Sequence, residues 1–157
     1  MLDALLPRQL DNGYRGHKLG LWLFGLVAAL KGTQSLAILF DGYATAKGAD
    51  GIPLDTFPPD AAQTVVSVFA QGSLWRLFFC LLCGLVLLRY RSAVPLMFTL
   101  LALEYLAARV AFAAIPLPHV GPPVGQLVNA ILFLLMLAGL GLSLWRHAGS
   151  GAPAAPE

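Results

Sequence analysis

Residues 19–40 read LGLWLFGLVAALKGTQSLAILF, an apolar run that carries one charge, Lys31, near its middle. A helix needs about 20 apolar residues to cross the hydrocarbon core of a bilayer, and this run is long enough. Three more runs of similar character follow, at residues 64–88, 94–115 and 124–145. The pattern therefore predicts an all-α fold, an integral membrane bundle of four transmembrane helices.

The composition indicates the same class of protein. Of the 157 residues, 58% are hydrophobic and only 11% are charged, whereas soluble domains carry about 25% charged residues. We expect a cytoplasmic segment at residues 1–18, a membrane domain at 19–146 and a disordered cytoplasmic tail at 147–157. The net charge of +2 is small, and no basic stripe with interleaved aromatic residues is present, which argues against nucleic acid as a partner. The predicted surroundings are the lipid bilayer.

The distribution of Lys and Arg predicts the orientation. Six cations fall on one predicted side, namely Arg8, Arg15, Lys18, Arg89, Arg91 and Arg146. The other side holds only Lys47, in a connection at residues 41–60 that also contains four aspartates. Cytoplasmic loops of membrane proteins are enriched in Lys and Arg. Both termini are therefore predicted to be cytoplasmic, with the chain in the bacterial inner membrane and residues 41–60 facing the periplasm.

The second helix has a predicted start signal. Asp60 follows two prolines and precedes Gln63 by three residues, a spacing typical of a capping box with Asp60 as N-cap. The apolar run from this point to residue 88 is longer than one span requires. We therefore expect this helix either to tilt or to break at Gly72.

Three ionisable residues, Lys31, Arg76 and Glu104, are predicted to lie at one level near the middle of the bilayer. A charge there costs about 2.5 to 3.5 kcal/mol on insertion scales, so such residues usually pair, line a wet cavity or serve a function. Glu104 and Arg109 are five residues apart, about 140° around a helix at about 100° per residue, and are poor partners. Glu104 is expected to pair across helices with Lys31 or Arg76.

A second polar layer is predicted about 5 to 8 Å toward the periplasm at a rise of about 1.5 Å per residue. Every helix contributes to this layer, which consists of Gln34, Ser35, Gln71, Arg109 and Asn129. The cytoplasmic half of the predicted spans contains no charge, so the pattern favours a cavity that opens outward and closes at the middle. Its excess positive charge calls for an anion, from Asp41, a ligand or a partner protein.

The predicted ligand- or partner-binding residues are accordingly Lys31, Gln34, Gln71, Arg76, Glu104, Arg109 and Asn129. A purely structural alternative stays open, because buried amides and ion pairs also hold membrane helices together. Small residues at i and i+4, such as Ala107 with Ala111, indicate faces where helices can approach closely.

Other motifs give no support for catalysis. Cys80 and Cys83 form a C-x-x-C spacing inside an apolar run, where small buried hydrophobes are the favoured interpretation. His17 and His147 lie near the predicted inner interface rather than in the bundle centre where a haem would need them. No phosphate-binding loop, zinc-protease motif or nucleophile elbow is present. We therefore predict no catalytic residue, no cofactor and no metal.

Residues 14–19 read YRGHKL and residues 50–55 read DGIPLD. Through these stretches the chain resembles a group of small, uncharacterised bacterial inner-membrane proteins with four helices. The resemblance spans roughly residues 1–70. It implies the membrane location and the helical bundle, and it implies no activity.

Three functions compete. The first is a non-enzymatic accessory or interaction subunit of a larger inner-membrane complex, whose partner would supply acids to the excess positive charge. The alternative is a periplasm-facing protein that binds or transports a small anionic solute, which with so few helices would act as a homo-oligomer. The third is a membrane enzyme with Glu104 as acid or base, and it ranks last because neighbouring cations oppose a proton-donor role.

Overall fold

The computed structural model describes residues 5, 7, 9–116, 120 and 124–145. This part of the chain is all-α and contains no strand. Its helices are α1 (Lys18–Phe40), α2 (Gly42–Gly48), α3 (Pro59–Arg89), α4 (Val94–Ala114) and α5 (Val124–Leu144), with 3-10 turns at Leu54–Thr56 and Arg91–Ala93. Within the described residues, four helices are long and apolar enough to cross a membrane: α1, α3, α4 with its preceding turn, and α5. The predicted all-α class with four such helices is confirmed.

The predicted start of α3 is wrong in detail. Pro58 is the N-cap in an extended conformation and Pro59 is the first helical residue, because the fixed φ of proline suits that position. Asp60 therefore lies in the first turn, where its negative carboxylate interacts favourably with the positive end of the helix dipole. The helix continues through Gly72, so the break expected as one alternative there does not occur.

Some sequence predictions fall on residues outside the described part of the chain. These are the cations Arg8 and Arg146, the histidine His147 and the tail at 147–157.

Helix α1 is the centre of the bundle. It packs extensively against α3 on one side and α5 on the other, and α5 packs against α4. Helices α3 and α4 are consecutive in the chain but make little backbone contact with each other apart from their contacts with the short turn Arg91–Ala93 that joins them. The bundle is therefore open along the line where α3 and α4 face each other, and we call this opening the α3–α4 cleft.

The main apolar core lies in the half of the bundle nearest the N-terminal segment. It contains Phe24, Val27, Cys83, Val86, Ala93, Val94, Met97, Phe98, Leu101, Leu132 and Met136. The rings of Phe24 and Phe98 meet edge to face with centroids 5.2 Å apart. A Cβ added at Gly139 would collide with the Phe98 ring, so glycine is what lets α5 approach α4 here.

Hydrogen bonds tie the elements together at both ends of the bundle. At the N-terminal end, the backbone N–H of His17 donates to the carbonyl of Leu142 at 3.0 Å, and Asp11 exchanges hydrogen bonds with Ser92. At the opposite end, which we call the loop end, the backbone N–H of Gly125 donates to the carbonyl of Ala49 at 2.8 Å. A second small core, made of Ala46, Ile52, Leu54 and Ala62, holds the connection at 41–58 against α3.

Candidate functional site

The three mid-helix ionisable residues form one network. Lys31 Nζ lies 2.7 Å from Glu104 Oε2, and Arg76 Nε lies 3.6 Å from Glu104 Oε1. The predicted pairing of Glu104 across helices is confirmed with both cations. The side chain of Lys31 is only 6% exposed, whereas those of Arg76 and Glu104 are 37% and 38% exposed. The network therefore has one end in the core and the other in the α3–α4 cleft.

Lys31 is buried because of its position on α1. Buried residues on this helix recur at Phe24, Val27, Lys31, Ser35 and Ile38, and spacings of three and four residues place them on one face. That face meets the rest of the bundle, so Lys31 enters the core with its neighbours. Glu104 then supplies the opposite charge that a buried ammonium group requires.

A chamber of about 510 Å³ occupies the loop-end half of the cleft. Its walls come from α1, α3, α4, α5 and the connections after α2 and α4. The lining residues are Ile38, Asp50, Val68, Phe69, Gly72, Ser73, Arg76, Arg109, Phe112, Ala113, Pro116, Gln126 and Asn129. We call this space the outer chamber.

Arg109 lines the outer chamber. It does not pair with Glu104, which agrees with the prediction that the two are poor partners. Its guanidinium donates a hydrogen bond to Gln126 Oε1 at 3.2 Å. Gln126 is a neutral partner, so the positive charge of Arg109 is left without a counter-charge among the described residues. Asn129 lies one turn further along α5 and lines the same chamber.

Among the described residues, Asp50 is the one acid that lines the outer chamber, and no sequence pattern pointed to it. Burial raises the pKa of Asp50, and the positive charge of Arg76 works against that rise. The aspartate that the sequence offered as counter-anion, Asp41, is used elsewhere. Its carboxylate accepts the backbone N–H of Ala44 at 3.2 Å as N-cap of α2.

The Ser73 hydroxyl is a second group that the sequence analysis did not select. Ser73 lines the outer chamber, is only 2% exposed, and its Oγ has no hydrogen-bond partner among the described residues. A buried hydroxyl without a partner costs about 1 to 3 kcal/mol, and elsewhere in this bundle Ser67 donates to the carbonyl four residues earlier. Ser73 is therefore a buried polar residue at the chamber wall whose hydroxyl is unpaired among the described residues.

A second chamber of about 240 Å³ continues the cleft toward the N-terminal end. Gly72, Trp75, Phe79, Cys80 and Leu101 line it, together with the three charged residues of the network. We call it the inner chamber. It ends at the main apolar core, since Leu101 belongs to both.

Two predicted site residues stand apart. Gln71 is exposed and Gln34 is half-buried, and neither lines a described cavity. Gln71 lies at the predicted depth, but it is one position away from Gly72, about 100° around α3. The other five predicted residues, Lys31, Arg76, Glu104, Arg109 and Asn129, line one smaller cavity of about 70 Å³ where the two chambers approach each other.

The charges of the cleft do not balance. Three cations, Lys31, Arg76 and Arg109, face two acids, Glu104 and Asp50, so the described residues leave one positive charge over. Such an arrangement can hold an anion through charge-assisted hydrogen bonds.

Comparison of the chain with protein-family models, with curated proteins and with solved structures finds no match.

Proposed function

We propose that this chain is a small multi-pass protein of the bacterial inner membrane that binds an anionic group in the α3–α4 cleft, without catalysing a reaction. The observation that carries the proposal is the outer chamber, whose wall contains two arginines, Arg76 and Arg109, and in which Arg109 has no counter-charge among the described residues. Its volume of about 510 Å³ lies in the range of about 300 to 1,000 Å³ that ligand sites usually occupy.

A binding role suits the charged network better than catalysis. Both oxygens of Glu104 face cations, Oε2 toward Lys31 and Oε1 toward Arg76. These contacts engage both carboxylate oxygens with the protein's own cations. The proposal therefore gives Glu104 the task of positioning two cations, and gives Arg109 the contact with the anion.

The proposed orientation places both termini in the cytoplasm and the loop end in the periplasm. The support is the distribution of Lys and Arg, since Arg15, Lys18, Arg89 and Arg91 belong to the N-terminal end and only Lys47 to the loop end. With this orientation the outer chamber would be reached from the periplasm. A C-terminal alkaline phosphatase fusion should be inactive and a green fluorescent protein fusion should fluoresce, and the reverse result would overturn the orientation.

Native mass spectrometry of the gently extracted protein tests the binding role. We expect a defined small mass on the wild-type protein that is lost in Arg109→Gln, because the variant removes the charge that faces the chamber. Arg15→Gln is the matched control, since Arg15 is exposed at the N-terminal end. Equal occupancy by the same mass in wild type and Arg109→Gln would refute an anion site at Arg109.

An accessory subunit is the second candidate, and one observation favours it. Ala107 and Ala111 are exposed on α4, a small-xxx-small spacing that in membranes lets another helix approach closely. In this version a partner or a second copy covers that face. Stoichiometric retention of a polypeptide in the wild type, and its loss in Ala107→Leu with Ala111→Leu, would support the accessory role.

A further inference from the structure

We infer that the anion is the phosphate of an anionic lipid, whose headgroup occupies the outer chamber while an acyl chain extends into the inner chamber. The inference rests on the proposed anion site and adds the class of ligand.

The two chambers differ in chemistry as the two ends of a lipid do. The outer chamber is lined by Arg109 and Asn129, both of which can donate hydrogen bonds to phosphate oxygens. The inner chamber presents aromatic and aliphatic side chains beyond its charged rim, among them Phe79 and Leu101. A soluble anion would use only the outer chamber, whereas an amphiphile has a matching surface in both.

The two chambers adjoin each other. Gly72 and Arg76 line both of them, and a Cβ built on Gly72 meets no atom within 4 Å. Gly72 therefore lies open on α3 where the two chambers adjoin, and we take this opening as the passage between them. A larger side chain at this position would project into that space.

The cleft is also open from the side. Helices α3 and α4 make few close backbone contacts with each other, and residues of both line the inner chamber. Trp75, which lines it, is 76% exposed. In a bilayer this opening would face lipid near the hydrocarbon centre, where a chain can enter and a hydrated solute cannot.

The depth of the cations fits this placement. Arg109 is five residues beyond Glu104, so it lies about 7.5 Å nearer the loop end at a rise of about 1.5 Å per residue. A phosphate at Arg109 would sit above the network with its chain directed past Gly72. One phosphodiester or phosphomonoester group also supplies the negative charge that the described residues lack.

Two probes with the same headgroup test the inference. The full chain in a non-ionic detergent is titrated with dioleoyl phosphatidic acid and, separately, with glycerol 3-phosphate, and complexes are counted by native mass spectrometry. We expect one phosphatidic acid per chain, with affinity reduced about tenfold or more in Arg109→Gln, because a hydrogen bond to a charged group is lost. Gly72→Leu should reduce phosphatidic acid binding to a similar extent by filling the passage.

Gly84→Leu is the matched control. Gly84 lies on the same helix, and its added Cβ also meets no atom within 4 Å, but it lines none of the described chambers. We expect this variant to bind phosphatidic acid like the wild type. Normal far-UV circular dichroism of all three variants would show that each has folded.

The outcomes separate the inference from the proposed function. If glycerol 3-phosphate binds as tightly as the lipid, depends on Arg109 and ignores Gly72→Leu, the anion site stands and the lipid inference is wrong. Phosphatidylcholine, whose headgroup has no net charge, is titrated as a control lipid, and if it binds as well as phosphatidic acid, the charge argument for a lipid is wrong. If no probe binds the wild type better than Arg109→Gln, both the inference and the proposed anion site are wrong.

Discussion

Removing the two ends of the Lys31–Glu104 pair should have unequal effects on stability. Lys31 has a 6% exposed side chain and its Nζ is paired with Glu104 Oε2 at 2.7 Å. Replacing Glu104 by Met leaves that ammonium buried without an acid. Replacing Lys31 by Met leaves a carboxylate that is 38% exposed and still has Arg76 at 3.6 Å.

The magnitudes follow from this asymmetry. A lone Lys near the centre of a membrane helix costs about 2.5 to 3.5 kcal/mol, and removing one partner of a buried pair costs about 3 to 5 kcal/mol in soluble proteins. We therefore expect Glu104→Met to lower the free energy of unfolding by about 3 kcal/mol. Lys31→Met should cost about 1 kcal/mol, close to the average of about 0.6 kcal/mol for a single polar contact between membrane helices.

The double variant completes the test. With both charges gone, the site holds two apolar side chains, and buried ion pairs replaced in this way are often neutral or stabilising. Lys31→Met with Glu104→Met should therefore be more stable than Glu104→Met alone by about 2 kcal/mol. Steric trapping in bicelles measures the free energies. Equal losses for the two single variants, or additive losses in the double variant, would refute the assignment of Lys31 as the buried end.

Three further predictions concern packing and pH. Gly139→Ala should destabilise the protein by about 1 to 3 kcal/mol, since its Cβ would meet the Phe98 ring. Gly141→Ala should be neutral, because its Cβ meets no atom within 4 Å. Thermal unfolding of the two variants compares their stabilities. Burial raises the pKa of Tyr14 from 10.0 to about 12. The free energy of unfolding should therefore be unaffected by this group below pH 10 and should fall as the pH rises toward 12, because the unfolded chain loses the proton first. Tyr14→Phe should remove this part of the alkaline loss of stability. Hydrogen bonds from Lys47 and Tyr43 lower the pKa of Asp55 below its ordinary value of 3.8. Asp55→Asn should therefore reduce the amide protection of residues 43–57 at neutral pH. The difference in protection between wild type and variant should vanish as the pH falls through the lowered pKa.

The sequence predicted the depth of the polar residues along the helices well, and the direction in which each side chain faces around its helix less well. Depth follows from counting residues along a span, because the rise per residue is fixed, and Lys31, Arg76 and Glu104 do meet at one level. Direction depends on which faces touch, and a membrane helix that is apolar all round gives little sign of that. Gln71 therefore shares the predicted layer with Arg109 but lies outside the chambers.

Two residues of the site could not be predicted because their role depends on tertiary structure. Asp50 lies in a turn of the connection, and only the folding of that connection against the end of the bundle places it in the outer chamber. Ser73 looks like any serine in a membrane helix, where the hydroxyl usually bonds to the carbonyl four residues earlier. Its significance is that it lacks such a bond, and no sequence pattern carries that information.

Lys31 and Arg109 differ in whether the described residues supply an opposite charge. Each oxygen of Glu104 is nearest to a different cation, Oε2 to Lys31 and Oε1 to Arg76, so no described carboxylate contact remains for Arg109. Its hydrogen bond to Gln126 satisfies one donor but does not neutralise the charge, which an anion would. A ligand that binds only the folded state adds stability by mass action. The anion should therefore stabilise the wild type and leave Arg109→Gln unchanged, whereas Lys31→Met should lose stability whether or not the anion is present.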